Sequence, residues 1–500
     1  MRVRNQVQLI AYADRFGGTI DGLHRLLDEK FAGVFGGVHV LPFYSPYDGA
    51  DAGFDPVDHT SVDPRLGTWA DIKSLATSYD VMADLIVNHV SSHSPQFQDV
   101  VAHGRDSAYA PMFLTMSSVF PDGATEADLT AIYRPRPGLP FTALRLGGEL
   151  RYVWTTFTPE QIDIDITSDL GRDYLHQILD AVAEAGVGFV RLDAVGYAVK
   201  TPGTSCFMTP ETFDFIAAFT QRARERGVEV LVEVHSYYRD QVAIAEKVDF
   251  VYDFALPPLL LYALSTGDGA ALAAWLRDRP TNAVTVLDTH DGIGIIDAGP
   301  RRGEKAGDPV RPGLLTEEQV DTLVAGIHER TGGSSQAASG ATASNLDLYQ
   351  INSTFYDALG RDDAAYLAAR AIQFFAPGIP QVYYVGALAG GNDTELLART
   401  NVGRDINRHY YSPAEIDAAL EQPAVRALLQ LCRLRNTIGA FDADDLTVDL
   451  TGTVLTLHRG ATDGPRACLT VDLGDGSASM EWTGTDGVAG RLDDLRQLLD

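Results

Sequence analysis

The amino-acid sequence predicts an α/β chain closed into a (β/α)8 TIM barrel, with two inserted rim domains and a small C-terminal β-domain. Three observations carry that prediction. Eight short apolar or β-branched runs recur along the chain, most of them followed by polar residues and then by helical spacing. Two of the gaps between runs are too long for a single helix. From about residue 437 the pattern changes to the strict alternation of strands with one solvated face.

The eight runs are "QVQLIAYA" (6–13), "GVHVLPF" (37–43), "VMADLIVN" (81–88), "GFVRLDAV" (188–195), "VEVLVEVH" (228–235), "DFVYDFA" (249–255), "AVTVLDTH" (283–290) and "PQVYYVG" (380–386). Near-continuous apolar runs fit parallel strands buried on both faces. Between them, "LHQILDAVAEAG" and "TFDFIAAFTQRARERG" have helical spacing and a glycine stop. No glycine-rich turn follows the first run, which argues against an open, doubly wound dinucleotide-binding sheet. The long gaps lie between the third and fourth runs, around the Pro-rich "YRPRPGLPF" (133–141), and between the seventh and eighth, around "TGGSSQAASGATASNLDLYQ" (331–350). The expected division is therefore barrel over 1–86, 168–291 and 356–436, inserted domains over 87–167 and 292–355, and a β-domain over 437–500.

Composition bounds the function. With 45% hydrophobic and 21% charged residues in 500, the chain can bury a large core. A formal net charge of −29 argues against nucleic acid or an anionic membrane surface as a partner. Cys206, Cys432 and Cys468 are widely spaced and odd in number, so neither a disulfide framework nor a Cys metal site is expected. No apolar run is long enough to span a bilayer and no leader pattern opens the chain, so a cytoplasmic location is expected.

The polar residues at the strand ends carry the chemistry. The third run ends in Asn88-His89, the fourth holds Arg191 and Asp193, the fifth ends in Glu233 and His235, and the seventh leads to His290-Asp291. Strand ends at the C-terminal face of a barrel converge on one pocket. Two carboxylates and a third acid there, with histidines and an arginine beside them, are what glycosyl transfer requires. Any one of them could be a rim ion pair, a helix cap or a satisfied core histidine; four strand ends so equipped are hard to explain by structural need.

"DLIVNH", "GFVRLDAV", "VLVEVH" and "VLDTHD" resemble, in order and spacing, the four short regions shared by the α-amylase family of glycoside hydrolases (family 13). "YDGADAGFDPVDH", "IYRPRPGLPF", "DAVGYAVKTPGTSCFMTP", "SNLDLYQINSTFY" and "NVGRDINRHYY" are similar to the branch of that family that splits sucrose with phosphate. The resemblance implies a retaining glycosyltransferase that makes glucose 1-phosphate and fructose from sucrose and phosphate. It implies no cofactor and no metal, phosphate being a co-substrate, and a homodimer as a candidate state. It implies Asp193 as nucleophile, Glu233 as general acid/base and Asp291 as transition-state stabiliser. Arg191 is expected to keep Asp193 ionised, being two residues earlier on the same strand face.

A phosphorylase must admit an anion into a carboxylate-lined site, so fixed cations are needed. The resemblance points to Arg136 and His235, with Tyr349 as a hydroxyl donor. Tyr133, Asp347 and Gln350 are suited to the fructosyl hydroxyls, and Tyr197 joins the substrate-binding set. The small-residue run before Asp347 is expected to let that loop change arrangement in catalysis.

"YSPYDGADAGFDPVDH" (44–59) packs four acids into one loop after the second strand. An EF-hand reading fails: counted from Asp48, the third and fifth positions are Ala50 and Ala52, and the twelfth is His59. The resemblance instead makes Asp51 a clamp on the far end of the glucosyl ring, paired with Arg404. Phe54 packs on the sugar face, and His89 and His290 reach other hydroxyls. Asp48, Asp55 and Asp58 are expected to be architecture.

Alternatives share the barrel: another sucrose-acting transglucosidase or hydrolase, or a phosphorylase for glucosylglycerate, glucosylglycerol or sucrose 6′-phosphate. A non-catalytic sugar-binding barrel would be marked by loss of one of the three carboxylates, and all three are present. A metal enzyme lacks support, since the chain has neither HExxH nor clustered Cys and His.

Overall fold

A computed structural model of the chain describes residues 3–49, 51–135, 138–301, 309–340, 350–461 and 463–499. The eight runs form eight parallel strands: β1 (Gln8–Ala11), β2 (Gly37–Val40), β3 (Asp80–Ile86), β4 (Phe189–Asp193), β5 (Glu229–Val232), β6 (Phe250–Asp253), β7 (Ala283–Thr285) and β8 (Ile379–Tyr383). Pairing of β1 with both β2 and β8 closes them into a barrel. Every residue of β1, β2, β7 and β8 is buried, as expected of strands covered by helices outside and packed side chains inside.

The outer helices follow from caps and spacing. In Asp169–Glu184 the Ser168 hydroxyl accepts from the Gly171 N–H at 3.0 Å, and Leu175, Ile178, Leu179 and Val182 turn one buried stripe to the barrel. Gly186 follows at φ +81°, a conformation that stops the helix at little cost to glycine. Pro210–Glu225 starts the same way, with Thr209 as cap and Pro210 at the first position.

Among the described residues, both long gaps hold regular elements. After β3, strand His89–Ser91 pairs antiparallel with Gln161–Asp163, and a hairpin (Phe141–Leu146, Glu149–Trp154) places Phe141 and Trp154 in a separate small cluster with Leu114, Val119 and Phe120. After β7, Ile293–Gly294 pairs with Gln350–Ile351, and helices Glu317–Arg330 and Ser334–Gly340 lie between. The chain ends in a five-stranded antiparallel sheet, Thr447–Leu492. Among the described residues no helix is long and apolar enough to cross a membrane.

Candidate active site

Strand register brings the charged groups together. Arg191 on β4 lies beside Asp84 on β3, and the alternation of side chains puts Arg191 and Asp193 on the same inner face. Arg191 Nη1 donates to Asp84 Oδ1 at 2.6 Å and to Asp193 Oδ1 at 2.7 Å, while its Nη2 lies 3.9 Å from Glu233 Oε1. Asp84 is itself fully buried and meets His39 Nε2 at 2.9 Å. One guanidinium thus faces three carboxylates.

Ala194 turns the chain immediately after Asp193. Its φ of +52° is in the left-handed region, costly for alanine, and it points the Ala194 N–H at Glu233 Oε2, 3.0 Å away. The strained residue joins the backbone of one candidate carboxylate to the side chain of the other.

Burial pushes the Asp193 carboxyl up to about 8; Arg191 pulls it down, and Glu233 and Asp84 add to the upward push. Arg191 orients Asp193 as expected, but the expectation that it keeps that carboxyl ionised is corrected: burial opposes the charge, and the guanidinium is divided among three acids. The direction also makes a stability prediction. A carboxyl raised in the folded chain contributes stability that is fully present below its ordinary value near 3.8 and is lost as pH rises to about 8. Asp193→Asn removes the titration. Its denaturant midpoint relative to the parent is expected to climb between those pH values and level off above them. A difference independent of pH would contradict this.

Asp291 is placed oppositely. Burial acts to raise it, but the charge of Arg404 above all, with His235 and Arg408, holds it far below the usual carboxylate range. Arg404 Nη1 is 2.9 Å from Asp291 Oδ1 and 3.9 Å from Asp51 Oδ1. The expected Asp51–Arg404 pair is thus present as one arm of a bridge whose shorter arm goes to Asp291.

The neutral side of the pocket is aromatic. Phe54 stacks on His290 with centroids 4.7 Å apart, and His89 Nε2 gives its hydrogen to the Phe54 carbonyl at 2.9 Å, since a carbonyl only accepts. Burial pushes His290 down to about 3 and lowers His89, so both stand as neutral imidazoles able to exchange hydrogen bonds with hydroxyls. Across the opening, Tyr133 and Tyr197 each pack on Phe207, at 4.7 and 4.6 Å. Gln350 Nε2 reaches His235 Nε2 at 3.3 Å. Arg136, Asp347 and Tyr349 lie outside the described residues, as do residues 341–349 of the loop expected to change arrangement; the first part of its small-residue run forms the helix Ser334–Gly340. Donor atoms of Glu233, His235 and Asp291 lie within 4.8 Å of one another, a spacing a cation could bridge; here positive charge already stands beside them on Arg404.

The signature of the α-amylase catalytic domain matches residues 16–255. A sucrose phosphorylase of Bifidobacterium adolescentis is 57% identical over 501 aligned residues, covering 99% of this chain and 98% of its own. A second, from Agrobacterium vitis, is 58% identical over 485 residues, covering 96% and 98%. This chain belongs to the sucrose phosphorylase family. Among solved structures, sucrose 6F-phosphate phosphorylase from Thermoanaerobacter thermosaccharolyticum matches with a TM-score of 0.88 at 39% identity, covering 98% of both chains.

Within this sucrose phosphorylase fold, several residues of the site went unseen in the sequence. Asp84 and His39 lie on inner faces of β3 and β2, and the strand alternation could have found them. Lys200 could not have been found that way. Its ammonium lies between Asp163 Oδ2 (2.8 Å) and Asn88 Oδ1 (2.9 Å) and also donates to the Tyr197 carbonyl, tying the inserted segment to the pocket wall. In the acidic loop, Asp48 pairs with Arg65 at 2.6 Å, Asp55 accepts from the Asp51 N–H at 3.1 Å, and Asp58 accepts from the Thr60 N–H at 2.8 Å. These contacts hold the loop that presents Asp51 and Phe54.

Proposed function

We propose that this chain transfers the glucosyl unit of sucrose to inorganic phosphate, reversibly and with retention, giving α-D-glucose 1-phosphate and D-fructose. The observation that carries the reading is near-full-length identity to two sucrose phosphorylases in a chain whose three candidate carboxylates meet at the barrel's strand ends.

In the first displacement the Asp193 carboxylate attacks the anomeric carbon while Glu233 gives its proton to the departing fructosyl oxygen, leaving a β-glucosyl ester on Asp193. Asp193 and Glu233 face the same Arg191 guanidinium. The electron-poor anomeric carbon, once bound beside Asp193, favours charge on it and so readies that carboxylate to attack. Asp291, held ionised by its cations, stabilises the oxocarbenium-like transition state. In the second displacement a phosphate oxygen attacks the same carbon, its proton returns to Glu233, and the ester bond breaks to restore Asp193. His235 and Arg136 offset the charge of the incoming anion, with Tyr349 as a hydroxyl donor. Tyr133, Asp347 and Gln350 serve the fructosyl unit. Asp51 and Arg404 close the pocket beyond one ring, which fits a terminal glucosyl unit and excludes a long chain. No cofactor takes part.

The deciding experiment is incubation with sucrose, with and without phosphate, followed by product analysis. Glucose 1-phosphate and fructose are expected in equal amounts with phosphate, and only slow glucose release without it. Glucose release at the full rate in the absence of phosphate would reject the assignment. Sucrose 6′-phosphate belongs in the same assay because of the solved relative; an Asp347 carboxylate facing the fructosyl unit would disfavour that anion.

A further inference from the structure

His235 is held from behind more firmly than any sugar contact requires. Its Nδ1 meets Asp297 Oδ2 at 3.0 Å, and Asp297 is fully buried. The other carboxylate oxygen of Asp297 accepts from the Ser236 N–H at 3.2 Å and from Gln241 Nε2 at 2.7 Å. The imidazole stacks on Phe254 with centroids 3.8 Å apart and planes 15° apart, which fixes the ring. Gly294 makes the close approach feasible: a Cβ there would stand 2.2 Å from Asp297 Oδ2 and 3.2 Å from His235 Nδ1.

With Nδ1–H given to Asp297, Nε2 faces Glu233 Oε1 at 3.7 Å and the Gln350 amide nitrogen at 3.3 Å; when Nε2 carries hydrogen, the Gln350 amide turns over so that its oxygen accepts. Burial works against charge on the ring, but Asp297, Glu233 and Asp291 outweigh it and raise His235 above its ordinary value. Esterification of Asp193 leaves Asp291 and Glu233 as the acids nearest an incoming phosphate, so a fixed donor of positive charge is needed there.

We propose that Asp297 is a positioning residue for phosphate: it fixes the His235 ring and keeps hydrogen on both ring nitrogens, so that Nε2–H meets the anion and favours it over water. This rests on the phosphorolysis reading given above. Asp297 touches neither sugar nor phosphate and acts through His235. An asparagine in its place can still accept from Ser236 and Gln241, but its NH2 would then face Nδ1, turning that nitrogen into an acceptor and the ring neutral.

The test is Asp297→Asn in the full-length protein. KM for phosphate is expected to rise on the order of tenfold, the loss of one charge-assisted hydrogen bond. Slow hydrolysis of sucrose should change by less than about twofold, so the share of turnover going to water rises. The alkaline limb of the phosphorolysis pH profile should also move to lower pH, because the ring then gives up its proton more readily. In a His235→Asn background the same change should add nothing, because both act through one ring. If Asp297→Asn does not fold, Gln241→Met, which removes one donor to Asp297, should shift phosphate KM the same way by a smaller factor. An unchanged phosphate KM and pH profile, or full additivity with His235→Asn, overturns the proposal. Phosphate-independent turnover by the parent protein would instead overturn the phosphorolysis reading itself.

Discussion

Replacing Asp193 by alanine is expected to lower sucrose phosphorolysis by on the order of 10⁴-fold or more while leaving the chain folded. The fold should survive because Arg191 keeps Asp84 at 2.6 Å when Asp193 is gone, so no buried guanidinium is orphaned. The buried carboxyl also resists ionisation, so removing it relieves a cost. The chemistry should not survive, since among the described residues no other acid meets both Arg191 and Glu233 to form the ester. A small anion such as azide, admitted to the space left by the carboxylate, should restore part of the turnover and give the inverted β-glucosyl azide, because only one displacement would then occur. The rate with sucrose and phosphate, and the anomeric form of the azide product, are the measurements. Activity within tenfold of the parent, with retained configuration, would place the nucleophile elsewhere.

The barrel was legible because its strands are buried on both faces and therefore stand out as continuous apolar runs; all eight became barrel strands. The polar residues ending those runs were legible for the converse reason, since an interior tolerates charge only where it is paired or used. Relations between distant segments were not. Asp297 lies 62 residues from His235 in sequence, and only folding of the segment after β7 brings them together. The preference of Arg404 for Asp291 over Asp51 is a matter of one ångström, 2.9 against 3.9 Å, which no motif encodes. The left-handed turn at Ala194 carries no sequence signal, because alanine is not the residue that conformation selects. The upward push on the Asp193 carboxyl runs against a local Arg-x-Asp pair, since burial opposes its charge and the same guanidinium also serves Asp84 and faces Glu233.

Lys200→Met should cause the largest loss of stability, about 3–5 kcal/mol, as for removal of one partner of a buried ion pair. The Lys200 side chain is about 1% exposed and that of Asp163 not at all, and the pair lies where the inserted segment meets the barrel. Methionine keeps most of the side-chain volume, so the change isolates charge and hydrogen bonding from packing. Asp163 would retain the Thr156 N–H at 2.9 Å and the Thr156 hydroxyl at 2.5 Å, which soften the loss without cancelling a buried negative charge. Asn88 would lose the donor to its carbonyl oxygen, and its amide lies 3.3 Å from His89 Nδ1, so KM for sucrose should rise as well. The double variant Lys200→Met with Asp163→Asn should recover most of the lost stability, because neither charge is then left unpaired. Chemical denaturation of the parent, both single variants and the double variant completes the cycle. Equal losses in the single and double variants would show that packing, and not the buried charge, fastens the inserted segment to the pocket.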